Sequence, residues 1–220
     1  MKNYRPHIIK EGGVEFQIGE FRGGTVMYDF KKMLIYMEAK GKLLFGKKFR
    51  IYKKDYKTLY KLCVYYIRDE DSCRKLGIDF NKGLLLSGPV GCGKTTLMKL
   101  MRYLVPHRKP CDLIPCRNIV FGFNNIGYRI IEQYGDHRFY CFDDLGAEPT
   151  GRHFGVDCNV LGEILLSRHD LFFKYKVKTH VTTNLNAQEL EERYGKRVRS
   201  RMRELFNLVA FDKGSGDKRK

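Results

Sequence analysis

The spacing of hydrophobic residues changes several times along the chain, and each change predicts a different element. Short apolar or β-branched runs predict buried strands at residues 83–87, 112–120, 139–142, 177–183 and 207–212. Apolar residues at helical spacing predict helices over residues 56–67, 96–104, 125–134, 160–172 and 187–194. This alternation predicts an α/β fold, a three-layer sandwich around a central, mostly parallel sheet.

The same pattern divides the chain into three regions. Residues 1–46 are interrupted by glycines and contain a short apolar run, 33–37, which is too little for a core of their own. We expect them to form an adaptor segment that docks on the main domain or on a neighbouring molecule. Residues 47–213 form the main domain, and residues 214–220 form a basic tail that is expected to be mobile.

The main domain begins with basic and aromatic residues interleaved. Residues 47–57 hold six basic residues, one acid and three aromatic residues. This mixture suits phosphate contact combined with base stacking, or a solvated helix start, and both interpretations remain open. The turn at 49–52 is expected to touch the base of a bound nucleotide, and Asp55 is expected to cap the following helix.

A glycine-rich stretch between the strand at 83–87 and the next helix fits the P-loop pattern G-x-x-x-x-G-K-T. Its glycines aim backbone N–H groups at a phosphate chain, and the helix N-terminus adds positive charge. Lys94 is predicted to reach the β- and γ-phosphates, and the Thr95 hydroxyl to bind Mg²⁺. The motif predicts a nucleoside triphosphate site formed by Gly88, Pro89, Val90, Gly91, Cys92, Gly93, Lys94, Thr95 and Thr96.

Two adjacent carboxylates, Asp143 and Asp144, follow the strand at 139–142. Parallel α/β sheets place their chemistry at the C-terminal ends of their strands. Asp143 is predicted to share the Mg²⁺ ion with Thr95, and Asp144 to orient and polarise the attacking water. Residues 145–155, with three glycines, predict a loop beside this site.

A third polar residue, Asn184, ends the strand at 177–183 and is predicted to hydrogen-bond the γ-phosphate or the attacking water. Residues 143–146 also fit D-x-x-G, a motif of GTPases. A GTPase needs an N-K-x-D motif downstream. The Asn-Lys pair of this chain, at 81–82, precedes the P-loop and is followed by Gly-Leu, so GTP is set aside.

Basic residues crowd the chain after the helix at 187–194. Residues 196–203 hold five basic residues in eight positions. In a helix, Arg197 and Arg201 lie one turn apart on one face. The run fits a solvated basic face, or an arginine finger presented to the γ-phosphate of a neighbouring subunit.

The composition of the chain predicts a type of binding partner and a cellular compartment. With 42 basic and 25 acidic side chains the net charge is +17, which favours an anionic polymer, most simply nucleic acid, as a partner. The seven scattered cysteines predict reduced thiols in a cytoplasm. Cys92, beside Lys94 at a helix N-terminus, fits a thiol of lowered pKa whose alkylation would block ATP binding, or an inert buried thiol, and both interpretations remain open. No apolar run has the length of a membrane span or forms a secretory signal, so no membrane partner is expected.

The order of these motifs resembles that of AAA+ ATPases of the DnaC/IstB type, which include helicase loaders and transposition helper ATPases. Residues 143–146 match the Asp-Asp-Leu-Gly of that subgroup, residues 182–185 resemble its sensor 1 segment, and residues 197–201 resemble its box VII. Within that box, Arg201 fits the position of the arginine finger.

The resemblance implies an AAA+ core without a C-terminal helical lid. It also implies ATP and Mg²⁺ as cofactors, hydrolysis at the interfaces of a homo-oligomer on DNA, and a replicative helicase or a transposase as client. Arg219 is the candidate for a sensor 2 arginine. A small-molecule or nucleotide kinase and a non-hydrolysing, nucleotide-switched DNA-binding protein remain as alternatives.

Overall fold

The computed structural model describes residues 5–106, 110–212 and 214–218. The strands are β1 Ile8–Glu11, β2 Val14–Gln17, β3 Gly19–Arg22, β4 Thr25–Tyr28, β5 Gly83–Ser87, β6 Asp112–Pro115, β7 Tyr140–Leu145, β8 Gly151–His153, β9 Val156–Cys158, β10 Thr179–Thr183 and β11 Phe206–Ala210. The helices are α1 Phe30–Phe45, α2 Tyr56–Ile67, α3 Glu70–Lys75, α4 Lys94–Leu104, α5 Cys116–Ile126, α6 Arg129–Tyr134, α7 Val160–Tyr175 and α8 Ala187–Leu205. A 3₁₀ turn, Lys53–Asp55, precedes α2.

A five-stranded parallel sheet with the order β11-β5-β10-β7-β6 forms the centre of the fold. Its three middle strands end together, because Thr183 of β10 is in register with Ser87 of β5 and with Leu145 of β7. The segments that follow these strands therefore meet at one edge of the sheet, which we call the carboxyl edge.

Helices cover both faces of this sheet. Successive side chains of a strand point to opposite faces. Leu84 and Leu86 of β5 accordingly lie in a core with buried residues of α1, α2 and α4, whereas Leu85 lies in a second core with buried residues of α5, α7 and α8. The predicted α/β three-layer sandwich is confirmed.

The first 46 residues contribute two antiparallel hairpins, β1–β2 and β3–β4, followed by α1. Asp29 begins this helix by accepting a hydrogen bond from the Lys32 backbone N–H at 3.0 Å. Met33, Tyr36 and Met37 are buried in the same core as Leu84 and Leu86 of β5. The segment is therefore packed onto the sheet through its helix.

The strand predicted within residues 112–120 is β6, which ends at Pro115 because Cys116, Ile119, Val120 and Phe123 are buried at helical spacing on α5. The helix predicted over 125–134 is broken at Gly127, whose φ of 64° is in the left-handed region.

The loop predicted over 145–155 was also only partly correct, because its second half enters the hairpin β8–β9. Asp55 does not cap α2 with its side chain. Asn186 and Glu189 do form a reciprocal capping box at the start of α8. None of the helices in the described ranges is long and apolar enough to span a bilayer.

Candidate active site

The P-loop is a tight turn between β5 and α4. Gly91 and Gly93 have φ values of 78° and 99°, conformations that side chains other than glycine rarely adopt. Lys94, the first residue of α4, folds its ammonium back to donate to the carbonyl oxygens of Gly88 at 2.8 Å and Pro89 at 3.0 Å. The loop therefore closes around the lysine that is predicted to bind phosphate.

Lys94 also joins the P-loop to the neighbouring strand. Its Nζ donates to the Asn184 side-chain oxygen at 2.5 Å. Burial lowers the pKa of the Lys94 ammonium, and the nearby carboxylates of Asp144 and Asp143 counter this in part. The structure thus places Asn184 beside the lysine, while its role towards the γ-phosphate or water stays a prediction.

Asp143 is held at the centre of a small hydrogen-bond network. The Thr95 hydroxyl donates to Asp143 Oδ1 at 2.9 Å, and the Thr182 hydroxyl donates to the same oxygen at 2.6 Å. Neighbouring ligands of an octahedral Mg²⁺ ion lie about 3 Å apart. The separation of the Thr95 and Asp143 oxygens therefore fits two adjacent positions around one such ion.

Asp144 differs from its neighbour in exposure and in backbone. Its φ of 57° is left-handed, which is uncommon for a residue with a side chain. The register between β7 and β10 shifts at this point. The Asp144 N–H donates to the Thr182 hydroxyl at 2.9 Å, and the residue lines the pocket in front of the P-loop. The two carboxylates thus face different surroundings although they are adjacent in sequence.

Thr182 is a site residue that the pattern of the sequence did not single out as functional. It is fully buried and bridges the two aspartates. Its hydroxyl accepts a hydrogen bond from the Asp144 backbone N–H and donates one to the Asp143 carboxylate. Thr182 lies in the predicted strand that ends before Asn184, and within the residues that resemble a sensor 1 segment. Neither observation singled out Thr182 itself.

A pocket of about 500 Å³ lies against the P-loop. One wall carries the predicted site residues Lys94, Thr95, Thr96, Asp144 and Asn184. The turn at 49–52 also lines the pocket, and its predicted contact with the base of a nucleotide stays a prediction. An aromatic and aliphatic wall facing a phosphate-binding loop suits a nucleotide base.

No protein-family profile matches the sequence, and no curated protein matches it. Solved structures do match. The DnaC helicase loader superposes with a TM-score of 0.55 at 16% identity, covering 76% of this chain and 94% of the other. The chain has the fold of the DnaC-type helicase loaders. DnaI gives a TM-score of 0.50 at 20% identity, covering 76% of this chain and 90% of the other.

A proposed primosome component from Streptococcus pyogenes serotype M3 gives a TM-score of 0.50 at 22% identity, covering 71% of this chain and 80% of the other. At these identities, what this chain shares with the loaders is the fold. The predicted resemblance to the DnaC type is confirmed at that level.

Within this loader fold, the two candidate finger arginines lie away from the pocket. Phe206, the first residue of β11, is in register with Gly83, the first residue of β5. The P-loop follows the other end of β5, about 13 Å away at 3.3 Å per residue. Arg201, five positions before Phe206 in the chain, therefore lies towards the amino edge of the sheet.

The contacts of these arginines agree with that placement. Arg201 is half-buried, and its nearest acidic partner is Glu204 on its own helix at 3.5 Å. Arg197 is exposed one turn earlier. Neither lines the pocket of its own chain. The structure brings together the P-loop, Asp143, Asp144 and Asn184, and it does not bring the arginines to them.

Of the two interpretations of Cys92, the structure supports the buried thiol, and the lowered pKa was wrong. The thiol is fully buried, and that burial raises its pKa, outweighing the opposing influence of Lys94. A helix N-terminus and a nearby ammonium were visible in the sequence, but the depth of the side chain was not. Cys92 is thus a packed thiol beneath the loop.

The tail brings to the site one residue that the sequence did not indicate, Lys218. Its described part, 214–218, lies against the P-loop, and the Lys218 N–H donates to the Gly91 carbonyl oxygen at 3.1 Å. Lys218 lines the pocket and pairs with the buried Asp55. Arg219, the candidate sensor 2 residue, lies outside the described residues.

Proposed function

We propose that this protein is a Mg²⁺-dependent ATPase that loads a replicative helicase onto DNA in the cytoplasm, with ATP bound between subunits of a homo-oligomer. The observation that carries the proposal is the convergence of Lys94, Thr95 and Asp143 on one edge of a loader fold, with Thr95 and Asp143 2.9 Å apart.

Each residue of the site is assigned a separate role in ATP hydrolysis. Backbone N–H groups of the P-loop bind the phosphates, and Lys94 offsets charge that develops on the β- and γ-oxygens. Thr95 and Asp143 would hold a Mg²⁺ ion, which would supply further charge neutralisation to the triphosphate. Asp144 orients the attacking water.

The arginines complete the proposed site from a second copy of the chain. Arg201 lies too far along α8 to face its own P-loop, so it is assigned to the γ-phosphate of a neighbouring subunit, with Arg197 beside it. Because each site would then need two subunits, hydrolysis would report on assembly. This is the feature that would couple the nucleotide to loading and release of a client.

The proposed polymer partner is DNA. A net charge of +17 gives the protein a strong electrostatic attraction to phosphate backbones. The helicase is chosen over a transposase as the client because the matching solved structures include a protein named as a helicase loader.

The direct test is a loading assay. The purified protein is incubated with ATP, the replicative helicase of its source and circular single-stranded DNA, and helicase retained on the DNA is measured. We expect ATP-dependent retention with the intact protein and none with Lys94→Ala, whose predicted phosphate contact is removed. Retention equal in the two samples would contradict the proposal.

Product analysis separates the alternatives. Release of inorganic phosphate stimulated by DNA supports an ATPase, transfer of phosphate to an acceptor other than water supports a kinase, and tight ATP binding without turnover supports a nucleotide switch. An affinity purification with Asp144→Asn, which should hold the ATP-bound assembly, would identify whether a helicase or a transposase is the client.

A further inference from the structure

Lys218 of the tail makes contacts that are unusual for a lysine near a chain's basic end. Its Nζ lies 2.6 Å from Asp55 Oδ2 and donates to the Cys92 carbonyl oxygen. Its ammonium also lies over the Phe211 and Tyr52 rings, with Nζ 5.1 and 5.7 Å from their centroids. The side chain is therefore fixed at the pocket wall by an ion pair, a hydrogen bond and ring contacts.

Asp55 is the other half of this arrangement. It belongs to the 3₁₀ turn that precedes α2, lines the same pocket and is only 4% exposed. Its Oδ1 is buried without a hydrogen-bond partner among the described residues, so Oδ2 carries the ion pair with Lys218. A carboxylate in such a place strongly requires a nearby cation.

The location of the carboxylate makes its neutralisation relevant to binding. A nucleoside triphosphate brings several negative charges into the pocket that Asp55 lines. An uncompensated Asp55 would repel them in surroundings where solvent screens charge poorly. Paired with Lys218, the carboxylate adds no net charge to the pocket wall.

We propose that Lys218 is a positioning residue of the nucleotide site: it neutralises Asp55 and holds residues 214–218 across Gly91 of the P-loop, so that the tail forms part of the wall of the site. This inference rests on the proposed function only in that the pocket takes a nucleoside di- or triphosphate. It assigns the tail to the binding of nucleotide and not to a partner.

The test is a set of charge variants titrated with ADP and with ATPγS in Mg²⁺ by calorimetry. Lys218→Met keeps a side chain of similar length and exposes the Asp55 charge, so binding should weaken on the order of tenfold. Asp55→Asn should not weaken binding, because it leaves an extra positive charge at the pocket. The double variant carries neither charge, so it should bind about as tightly as the unmodified protein.

Two controls keep the result interpretable. Lys57→Met removes the same charge from an exposed position on α2 outside the pocket, and it should leave affinity unchanged. Thermal unfolding without nucleotide checks that each variant is folded. The loss in Lys218→Met should also shrink as salt is raised, because screening weakens the repulsion by Asp55.

Each contrary result has one meaning. Equal weakening by Asp55→Asn and Lys218→Met would show that the pair only holds the tail in place and that its charge has no effect on binding, which would overturn the inference. Unchanged or tighter binding in Lys218→Met would overturn it as well. If the unmodified protein bound neither nucleotide, the proposed function itself would fail. If it bound them with the expected variant pattern but loaded no helicase, only the proposed function would be lost.

Discussion

At the carboxyl edge of the sheet, the polar side chains are buried and bonded to one another. Lys94, Asp143 and Thr182 are exposed by 4%, 6% and 0%, and each has a partner in the site at 2.9 Å or less. Along the second half of α8, the charged side chains are exposed or half-buried, and Arg201 has its ion pair with Glu204 at 3.5 Å.

This difference in burial distinguishes residues that act within one chain from residues that another molecule can contact. The buried network is formed within one chain, and changing it must disturb both the geometry of the site and the stability of the fold. Arg197 and Arg201 of α8 are exposed or half-buried, so another molecule can reach them. We therefore expect the two regions to respond oppositely to mutation, with stability lost in one and only turnover lost in the other.

The largest effect is expected from Arg201→Ala. If Arg201 serves a neighbouring subunit, turnover should fall by about 10³- to 10⁵-fold. ATP binding and the unfolding midpoint should stay close to those of the unmodified protein, because the side chain touches no part of its own pocket. Steady-state hydrolysis, nucleotide titration and urea unfolding measure the three quantities.

Mixing experiments decide whether the arginine acts between chains. Lys94→Ala and Arg201→Ala are each inactive in expectation, but a mixed oligomer contains interfaces that have both side chains, so some turnover should return. Arg203→Ala, an exposed arginine on the same helix, is the matched control. A mixture that stays inactive at every ratio would place Arg201 outside the reaction.

The next largest effect is expected from Asp144→Asn. Loss of a general base costs about 10²- to 10⁴-fold in rate, and Asn keeps the size of the side chain at this left-handed position. Binding of ATP should persist, since the phosphate contacts are assigned to Lys94 and the P-loop backbone and not to Asp144. Single-turnover hydrolysis beside ATP titration tests this, and an equal loss of both would assign Asp144 to binding.

A stability effect should mark the buried region. Thr182→Val replaces a hydroxyl that serves two neighbours, leaving Asp143 with one donor fewer and the Asp144 N–H without its acceptor. Removing one partner of a buried hydrogen bond costs about 1–3 kcal/mol of unfolding free energy. Urea unfolding should show this loss for Thr182→Val and almost none for Arg203→Ala. Equal values would remove the distinction between the regions.

The same contrast explains what the sequence could predict. The P-loop, the acidic pair and Asn184 follow consecutive strand ends, and the common edge of a parallel sheet brings such positions together whatever the details of packing. Strand and helix patterns therefore sufficed for the fold class and for this half of the site. Residues 49–52 line the same pocket although α3 separates α2 from β5, and their contact with a nucleotide base stays a prediction.

The rest depended on contacts between segments that are distant in the chain. The pairing of Asp55 with Lys218 spans most of the sequence, and no periodicity marks it. The raised pKa of Cys92 depends on burial that a helix N-terminus does not reveal. Helix boundaries failed at Gly127, where a glycine in a left-handed conformation divides an otherwise continuous apolar pattern.

The smallest effect is expected from Glu204→Gln, which tests whether the ion pair on α8 holds Arg201 in place. Glu204 accepts a hydrogen bond from His169 at 2.9 Å and lies 3.5 Å from Arg201. Exposed pairs of this kind contribute little, so turnover should change by no more than about threefold. A loss as large as that of Arg201→Ala would mean that α8 depends on a fixed network, like the carboxyl edge.

The pH dependence of the same variant gives an independent check. The hydrogen bond from His169, followed by the charges of His169 and Arg201, lowers the pKa of Glu204 below its ordinary value of 4.5. A carboxylate with a lowered pKa stabilises the fold fully above 4.5 and loses that contribution as pH falls through the lowered value. Urea midpoints of the two proteins should therefore differ slightly at neutral pH and converge in acid. A gap that remained well below the lowered pKa would contradict the assigned pairing, because there the protonated carboxyl of Glu204 and the amide that replaces it in the variant are both uncharged.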